Sequence, residues 1–320
     1  MRIGLLEPNS LVGKELRELI TARDETRFEV ELLTATVDEL GTLTEVDDEA
    51  TLVAGLTEEV GRALDIAVLC GTAAEQHRAL AMIPDDGPQV VIAATELEHP
   101  DGEIYVAGLE EARPGPDTVL LSPYPATIAL AHLLAPLLEV GLRRAAATVL
   151  LPASSFGAAG LDELFGQARS LLNFQSEKPA AVFGYQLAFN FLPGPSSDRI
   201  AADVTEALHT DPNLTLQLVQ SPVFHGIAVS LLVELEEELE EAAVARHLCR
   251  SPFVDAFEPT EGLGPIDSTQ RDEILLGRVR ADPSAPGSYW LWAVMDNLRR
   301  GGASNVLALL DELAAERGVN

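Results

Sequence analysis

Few residues in this chain are placed to do chemistry. The only two thiols, Cys70 and Cys249, lie far apart and make neither a metal nor a redox spacing. Cys70 ends the apolar run Ile66 to Leu69 and reads as a small buried residue. Cys249 falls in the last turn of a helix pattern and has less claim to reactivity. His225 is a general-base candidate by residue type. It sits in a strand segment, where its side chain either points into a cleft or lies half exposed at a kink. Arg199 opens a helix pattern and offers a cation to an anionic group, or an ion pair to a neighbour. Ser154 lies in the link Pro152 to Gly160. The acidic run Glu234 to Glu241 reads as the solvated opening of a helix. It lacks the His and Asp variety of a ligand set, so no metal site is expected.

A turn between two strong patterns, Leu121-Ser122-Pro123-Tyr124-Pro125-Ala126-Thr127-Ile128, is the natural place for a nucleophile. A strand-like run, Thr118 to Leu121, precedes it, and a helix pattern from Thr127 to Val140 follows. Such turns set a side chain beside free helical N–H donors.

The elements around these residues alternate. Residues 2 to 35 read strand, turn, helix, strand, which is a β-α-β opening. Asp65 to Cys70 and Gln89 to Ala94 are two further buried strands, with a helix from Ala73 to Ala81 between them. This alternation predicts an α/β fold with a parallel sheet and helices on both faces. Arg144 to Leu151, Ile274 to Arg280 and Tyr289 to Asp296 read as later strands, and Gly160 to Leu172 and Arg199 to Ala207 as later helices.

The 320 residues suffice for two domains with substantial cores. With 47% hydrophobic and 22% charged residues the chain reads as globular. No apolar run reaches the ~20 residues that span a bilayer. The first residues are strand-like and not a targeting segment, which sets the expectation of a cytoplasmic protein. The net charge of −30 argues against nucleic acid and anionic membranes as partners, since both would be repelled. The acidity fits either a compositional bias with a solubilising shell or a salt-rich source.

Several motifs resemble one family. Position by position, the turn at 121–128 is similar to the Asn-Pro-Asn-Cys-Ser/Thr turn of aspartate-semialdehyde dehydrogenases. Trp292-Ala293-Val294-Met295-Asp296-Asn297-Leu298-Arg299-Arg300-Gly301-Gly302-Ala303-Ser304-Asn305 resembles the family's Trp-x-Val-x-Asp-Asn-Leu-x-Lys-Gly-Ala-x-x-Asn signature. Phe183-Gly184-Tyr185-Gln186-Leu187-Ala188-Phe189-Asn190-Phe191-Leu192-Pro193 carries the Phe-Asn-x-x-Pro block, in a form that looks like the Usg-like branch. The resemblance runs the length of the chain. It implies an N-terminal Rossmann-type NAD(P)-binding domain (1–126 with 297–320) and an α+β dimerisation domain (127–296).

The same resemblance implies a degenerate site. Family catalysis needs a thiolate, an orienting glutamine, a carboxylate-binding arginine and a histidine base. The corresponding positions here hold Pro125, Leu151, Gln220 and Ile227. Proline has no nucleophilic atom, and isoleucine cannot move a proton. The phosphate-binding arginine is also missing: none occurs between Arg78 and Arg113, where Glu96, Glu98 and Asp101 stand instead. Gly13, Ser154, Gly157 and Asn305 are retained at cofactor positions.

Of the glycine-rich phosphate loop only Gly13 survives. Glu7 is expected to put a carboxylate at the helix N-terminus where phosphate should sit, and Ser10 to cap that helix. Acids in Thr36-Val37-Asp38-Glu39 disfavour a 2′-phosphate, and Phe156 is expected to fill nicotinamide space. No cofactor is expected, with NAD(P) the candidate if the vestigial site still binds. The reading that follows is a catalytically silent homologue acting through dimerisation or a protein partner. The alternative is an active NAD(P)-dependent semialdehyde dehydrogenase, or another oxidoreductase, with a remodelled pocket using His225, Arg199 and Ser154.

Overall fold

The computed structural model describes residues 1–23, 27–37, 40–46, 49–109, 118–175, 179–258 and 261–318. The chain divides into two compact units, residues 1–124 with 302–320 and residues 125–301.

The first unit begins β1 (Arg2–Leu6), α1 (Leu11–Ala22), β2 (Glu29–Thr34). A small hairpin follows, β3 (Leu43–Val46) with β4 (Glu49–Leu52), then β5 (Ala54–Gly55) and α2 (Glu58–Ala63). The unit continues through β6 (Ile66–Leu69), α3 (Ala73–Met82), β7 (Gln89–Ala93), β8 (Glu103–Ile104) and β9 (Leu120–Ser122). Among the described residues the main sheet has the order β5-β2-β1-β6-β7-β9-β8, and every pairing in it is parallel. Parallel strands are covered on both faces, so their sequences run apolar without alternation. All residues of β6 and β7 are buried. This is the doubly wound arrangement expected from the β-α-β opening.

The second unit opens with α4 (Pro125–Leu138), β10 (Leu142–Leu151) and α5 (Gly157–Leu172). It continues with β11 (Leu192–Pro193), α6 (Asp198–Ala207), β12 (Leu214–Gln220), β13 (Ile227–Leu235) and α7 (Glu241–Leu248). β14 (Val254–Ala256), β15 (Ile274–Leu276), β16 (Arg280–Ala281) and β17 (Ser288–Met295) complete it. The sheet runs β11-β12-β10-β13-β17-β15-β14, with β16 on β17, and mixes parallel with antiparallel pairs. The last helix, α8 (Ser304–Glu316), belongs to the first unit and packs on α1.

Four sequence expectations need correction. The helix read from Thr127 starts at Pro125 and ends at Leu138. Proline suits a first helical position, where its missing N–H is not needed, and Gly141 (φ +77°) turns the chain beyond the end. α5 begins at Gly157, three residues early, because a 3₁₀ turn over Ala153–Phe156 feeds directly into it. The left-handed φ of Gly157 (+68°) makes that junction. The acidic run does not open a helix at Glu234. The alternating burial of β13 carries through Leu235, so Glu234 ends a strand, 236–240 form a loop, and α7 starts at Glu241. Ile274 to Arg280 is not one strand. Gly277, whose N–H donates to the Trp292 carbonyl, lies between two short strands that pair separately with β17.

Candidate functional site

In the first unit, β1 delivers Glu7 to the turn that leads into α1. The residue keeps a glycine-like backbone, with φ +56°. For a non-glycine residue that conformation costs about 1–2 kcal/mol. Its carboxylate is buried and accepts from Thr34 Oγ1 (3.0 Å), Ala35 N (3.0 Å) and Thr36 Oγ1 (3.3 Å). Charge-assisted bonds of this kind offset the strain. Arg78 Nη1 donates to the same Thr36 hydroxyl at 2.9 Å. The expectation that Glu7 would occupy the α1 N-terminus is therefore corrected: the left-handed turn swings it across to the end of β2.

The α1 N-terminus is closed by Ser10, whose Oγ accepts from Gly13 N at 3.0 Å. A Cβ on Gly13 would stand 2.8 Å from the Glu7 carbonyl and 3.0 Å from that of Pro8, so the turn needs glycine there. The α3 N-terminus is closed too. Glu75 Oε2 accepts from Thr72 N (2.7 Å) and Thr72 Oγ1 (2.8 Å), and Ala73 N donates to Glu96 Oε2 at 3.0 Å. Glu98 is exposed. Asp38, Glu39 and Arg113 lie outside the described residues.

Asn305 on α8 is fully buried. Its Oδ1 accepts from Ala107 N, and its Nδ2 donates to the Tyr105 carbonyl and to Ser122 Oγ, all at 2.9 Å. One amide thus holds the backbone after β8 to the end of β9.

The second unit gathers the other candidate positions. Leu151 and Gln220 are register partners at the ends of β10 and β12. Leu151 is buried, and its carbonyl accepts from Ser221 N (2.9 Å) and Ser221 Oγ (3.0 Å). Gln220 Nε2 donates to the Pro193 carbonyl at 3.3 Å. Ile227, fully buried, opens β13 opposite Met295. Met295 links it to Pro125: a Cβ on Gly301 would meet Pro125 Cβ at 2.6 Å and Met295 Cε at 2.8 Å. Gly301 is the only residue type that fits between them.

Ser154 is buried and bonded to Asn297, with Asn297 Nδ2 donating to its Oγ at 3.0 Å. Asn297 Oδ1 also accepts from Gly226 N at 2.8 Å. The serine is thereby a strut between the 153–156 turn and the start of β13. Asp296 performs a similar task, with Oδ2 accepting from Gln270 N and Oδ1 from the N–H groups of Leu298 and Arg299.

The three groups proposed for a remodelled pocket do not share one polar cluster. Arg199 Nε bonds Asp203 Oδ1 at 2.9 Å within α6. Ser154 is committed to Asn297, and His225 is half-buried. Phe156 packs edge-on against Phe183, with ring centres 5.3 Å apart, inside this unit. Gly157 is exposed at the start of α5.

Neither cysteine is activated. Burial pushes the Cys70 thiol up to about 12, and burial with the nearby Asp255 also raises Cys249, which is exposed. No group of three metal-ligating side chains occurs among the described residues. No helix among them is long and apolar enough to cross a membrane.

Residues 134–300 match the family model described as semialdehyde dehydrogenase, dimerisation domain. The chain belongs to this family. It is 29% identical over 61% of its length to the aspartate-semialdehyde dehydrogenase of Rickettsia bellii, of which it covers 62%. A USG-1 protein homologue of Pseudomonas aeruginosa is 35% identical, with 61% of each chain covered. The chain thus spans less than two thirds of the curated relatives named here. The crystal structure of aspartate semialdehyde dehydrogenase II from Vibrio cholerae complexed with ASA superposes with a TM-score of 0.87 and covers 98% of both chains. At 22% identity that likeness establishes the fold: a Rossmann-like first unit and a semialdehyde dehydrogenase dimerisation domain.

Sequence reasoning missed three groups. Asn297 and Asp296 were visible only as part of a signature. Glu163 and Gln167 on α5 carried a signal in their i, i+4 spacing on a helix face otherwise suited to burial. His132 gave none.

Proposed function

We propose that this member of the semialdehyde dehydrogenase family does not catalyse the family's thiol-dependent reaction and acts instead through association of its second unit, first of all as a homodimer. The observation that carries the reading is Pro125. It stands at the family's cysteine position, buried as the first residue of α4 under Gly301. No main-chain or side-chain atom there can form a thioester. Leu151, Gln220 and Ile227 occupy the remaining family positions with groups that neither orient, neutralise nor exchange protons.

A dinucleotide does not fit the residues of the first unit. Pyrophosphate needs unpaired helical N–H donors and backbone that can be closely approached. Ser10 caps α1 through Gly13 N, Thr72, Glu75 and Glu96 take up donors at the start of α3, and Glu7, at the first glycine position of the resemblance, bears a buried carboxylate. The competing reading, an enzyme with a remodelled pocket, rests on His225, Arg199 and Ser154, two of which are spent on Asp203 and Asn297.

The test is turnover. Purified protein incubated with aspartate semialdehyde, phosphate and NADP is expected to form no more NADPH than the buffer blank. Turnover above the blank overturns the proposal. Calorimetry at high protein concentration, with no heat on adding NADP or NAD, separates loss of chemistry from loss of cofactor binding.

A further inference from the structure

The hairpin of β3 and β4 turns the unexpected face to the rest of the first unit. Leu43 and Leu52 are register partners, 69% and 62% exposed, so the apolar pair looks outward. The adjacent pair, Thr44 and Thr51, therefore lies on the opposite face. That face is turned towards α1, where Arg17 Nη1 donates to Thr44 Oγ1 at 3.0 Å. The hydrophobic effect favours the reverse, with leucines inward and hydroxyls in water. The chain instead keeps polar side chains on the inner face.

Behind that face lies a cavity of about 130 Å³, lined by Arg17, Ile20 and Thr21 of α1, Val30 and Leu32 of β2, and Thr51. Pockets for drug-sized molecules start at about 300 Å³, so this one suits a ligand of only a few heavy atoms. It runs beside the C-terminal half of α1, at the other end of that helix from the Ser10–Gly13 cap.

Two chemistries meet in the cavity. Ile20, Val30 and Leu32 supply an apolar wall, and Arg17 supplies a cation. Burial lowers the Arg17 pKa below its ordinary value, with the charge of Glu18 opposing. A guanidinium partly stripped of water gains from an anion placed against it. Its planar fork of five donors takes a carboxylate through two parallel bonds. The net charge of −30 selects among anions, because every further negative charge on a ligand is repelled by the chain as a whole. A singly charged carboxylate is favoured over phosphate on that ground, and the apolar wall calls for a short hydrocarbon tail.

We propose that the cavity between α1, β2 and the hairpin is a binding site for short-chain aliphatic monocarboxylates, with the head on Arg17 and the tail on Ile20, Val30 and Leu32. The inward threonines keep the lining polar near the head, and a bound ligand ties the hairpin to α1. The site lies wholly within the first unit and does not depend on the self-association reading above.

Ligand-observed NMR on the full chain tests the assignment, with sodium butyrate as probe and sodium chloride at equal ionic strength as blank. Saturable binding is expected, with a Kd on the order of 1 mM for so small a ligand, and inorganic phosphate should not displace it. Arg17→Gln should weaken butyrate by roughly 10-fold or more. Thr51→Leu, which fills the cavity and leaves Arg17 in place, should do the same without loss of thermal stability. Leu43→Ser, on the outer face of the same hairpin, should bind like the wild type. Butyrate that fails to saturate by about 50 mM, phosphate that competes equally well, or wild-type affinity in either cavity variant overturns the proposal. Equal loss of binding in Leu43→Ser assigns the effect to the hairpin's stability and overturns it too.

Discussion

The two units close their candidate sites by opposite means. In the first, carboxylates take up the donors around the sheet: Glu7 clasps the end of β2, and Glu75 and Glu96 accept at the start of α3. In the second, closure is neutral. Pro125 packs under Gly301, Leu151 and Ile227 are buried in the sheet, and Ser154 is tied to an amide. The physical difference is reversibility. A carboxylate that meets N–H donors can be neutralised by one substitution, whereas a packed apolar site has no polar atom to recover and must be rebuilt from several residues at once.

The comparison is most exposed to acid, because packing in the second unit encloses a histidine that has to stay neutral. That residue is His132. It is fully buried on α4, its Nδ1 lies 2.8 Å from Ser251 Oγ, and it meets Phe253 edge-on. Burial, assisted by the cation of Arg300, pushes its pKa down to about 3. The folded value lies below the unfolded value near 6.5, so this contribution is fully present above pH 6.5 and drains away as pH falls towards 3. The expected loss is about 1.4 kcal/mol per pH unit in that window. Urea unfolding at stepped pH should show this slope in the wild type relative to His132→Leu. A constant difference between the two would break the comparison on the neutral side.

Next in size is Asn305→Ala, which strips the backbone after β8 of its partners and should cost about 2–4 kcal/mol by the same measurement. Gly301→Ala follows. Its new methyl would press on Pro125 and Met295, and overpacking of this kind costs about 1–3 kcal/mol. A neutral effect would mean that Pro125 is not tightly enclosed. The smallest change is expected from Glu7→Gln, about 1–2 kcal/mol, since an amide oxygen accepts more weakly than a carboxylate. If Glu7→Gln proves more damaging than Gly301→Ala, the carboxylate closure is the more rigid of the two and the contrast is inverted.

The strands were legible wherever burial on both faces left an unbroken apolar run, as in Ile66–Leu69 and Gln89–Ala93. The start of α4 was less so, because a helix pattern is carried by apolar spacing and Pro125 contributes none of it. The acidic run misled for the opposite reason. Its carboxylates suggested a helix opening, but Leu235 is buried in the sheet and extends β13 through them. At the candidate site, the identity of each residue could be read in the chain, but the bonds of Glu7 to residues 34–36 and of Ser154 to Asn297 could not. Both join segments far apart in sequence, and neither leaves a local pattern.

The amino-acid sequence by itself determined the alternation of strands and helices, the net charge and the residue types at the turn around Pro125. These depend on composition and near-neighbour spacing, which the linear chain contains in full. Tertiary structure alone decided where Glu7 points, that Gly301 has to be glycine, that His132 is buried beside Arg300, and that Glu163 and Gln167 clasp the backbone of residues 179–188. Each of those follows from atoms brought within a few ångströms by packing, and the sequence records no distance between residues it does not place side by side.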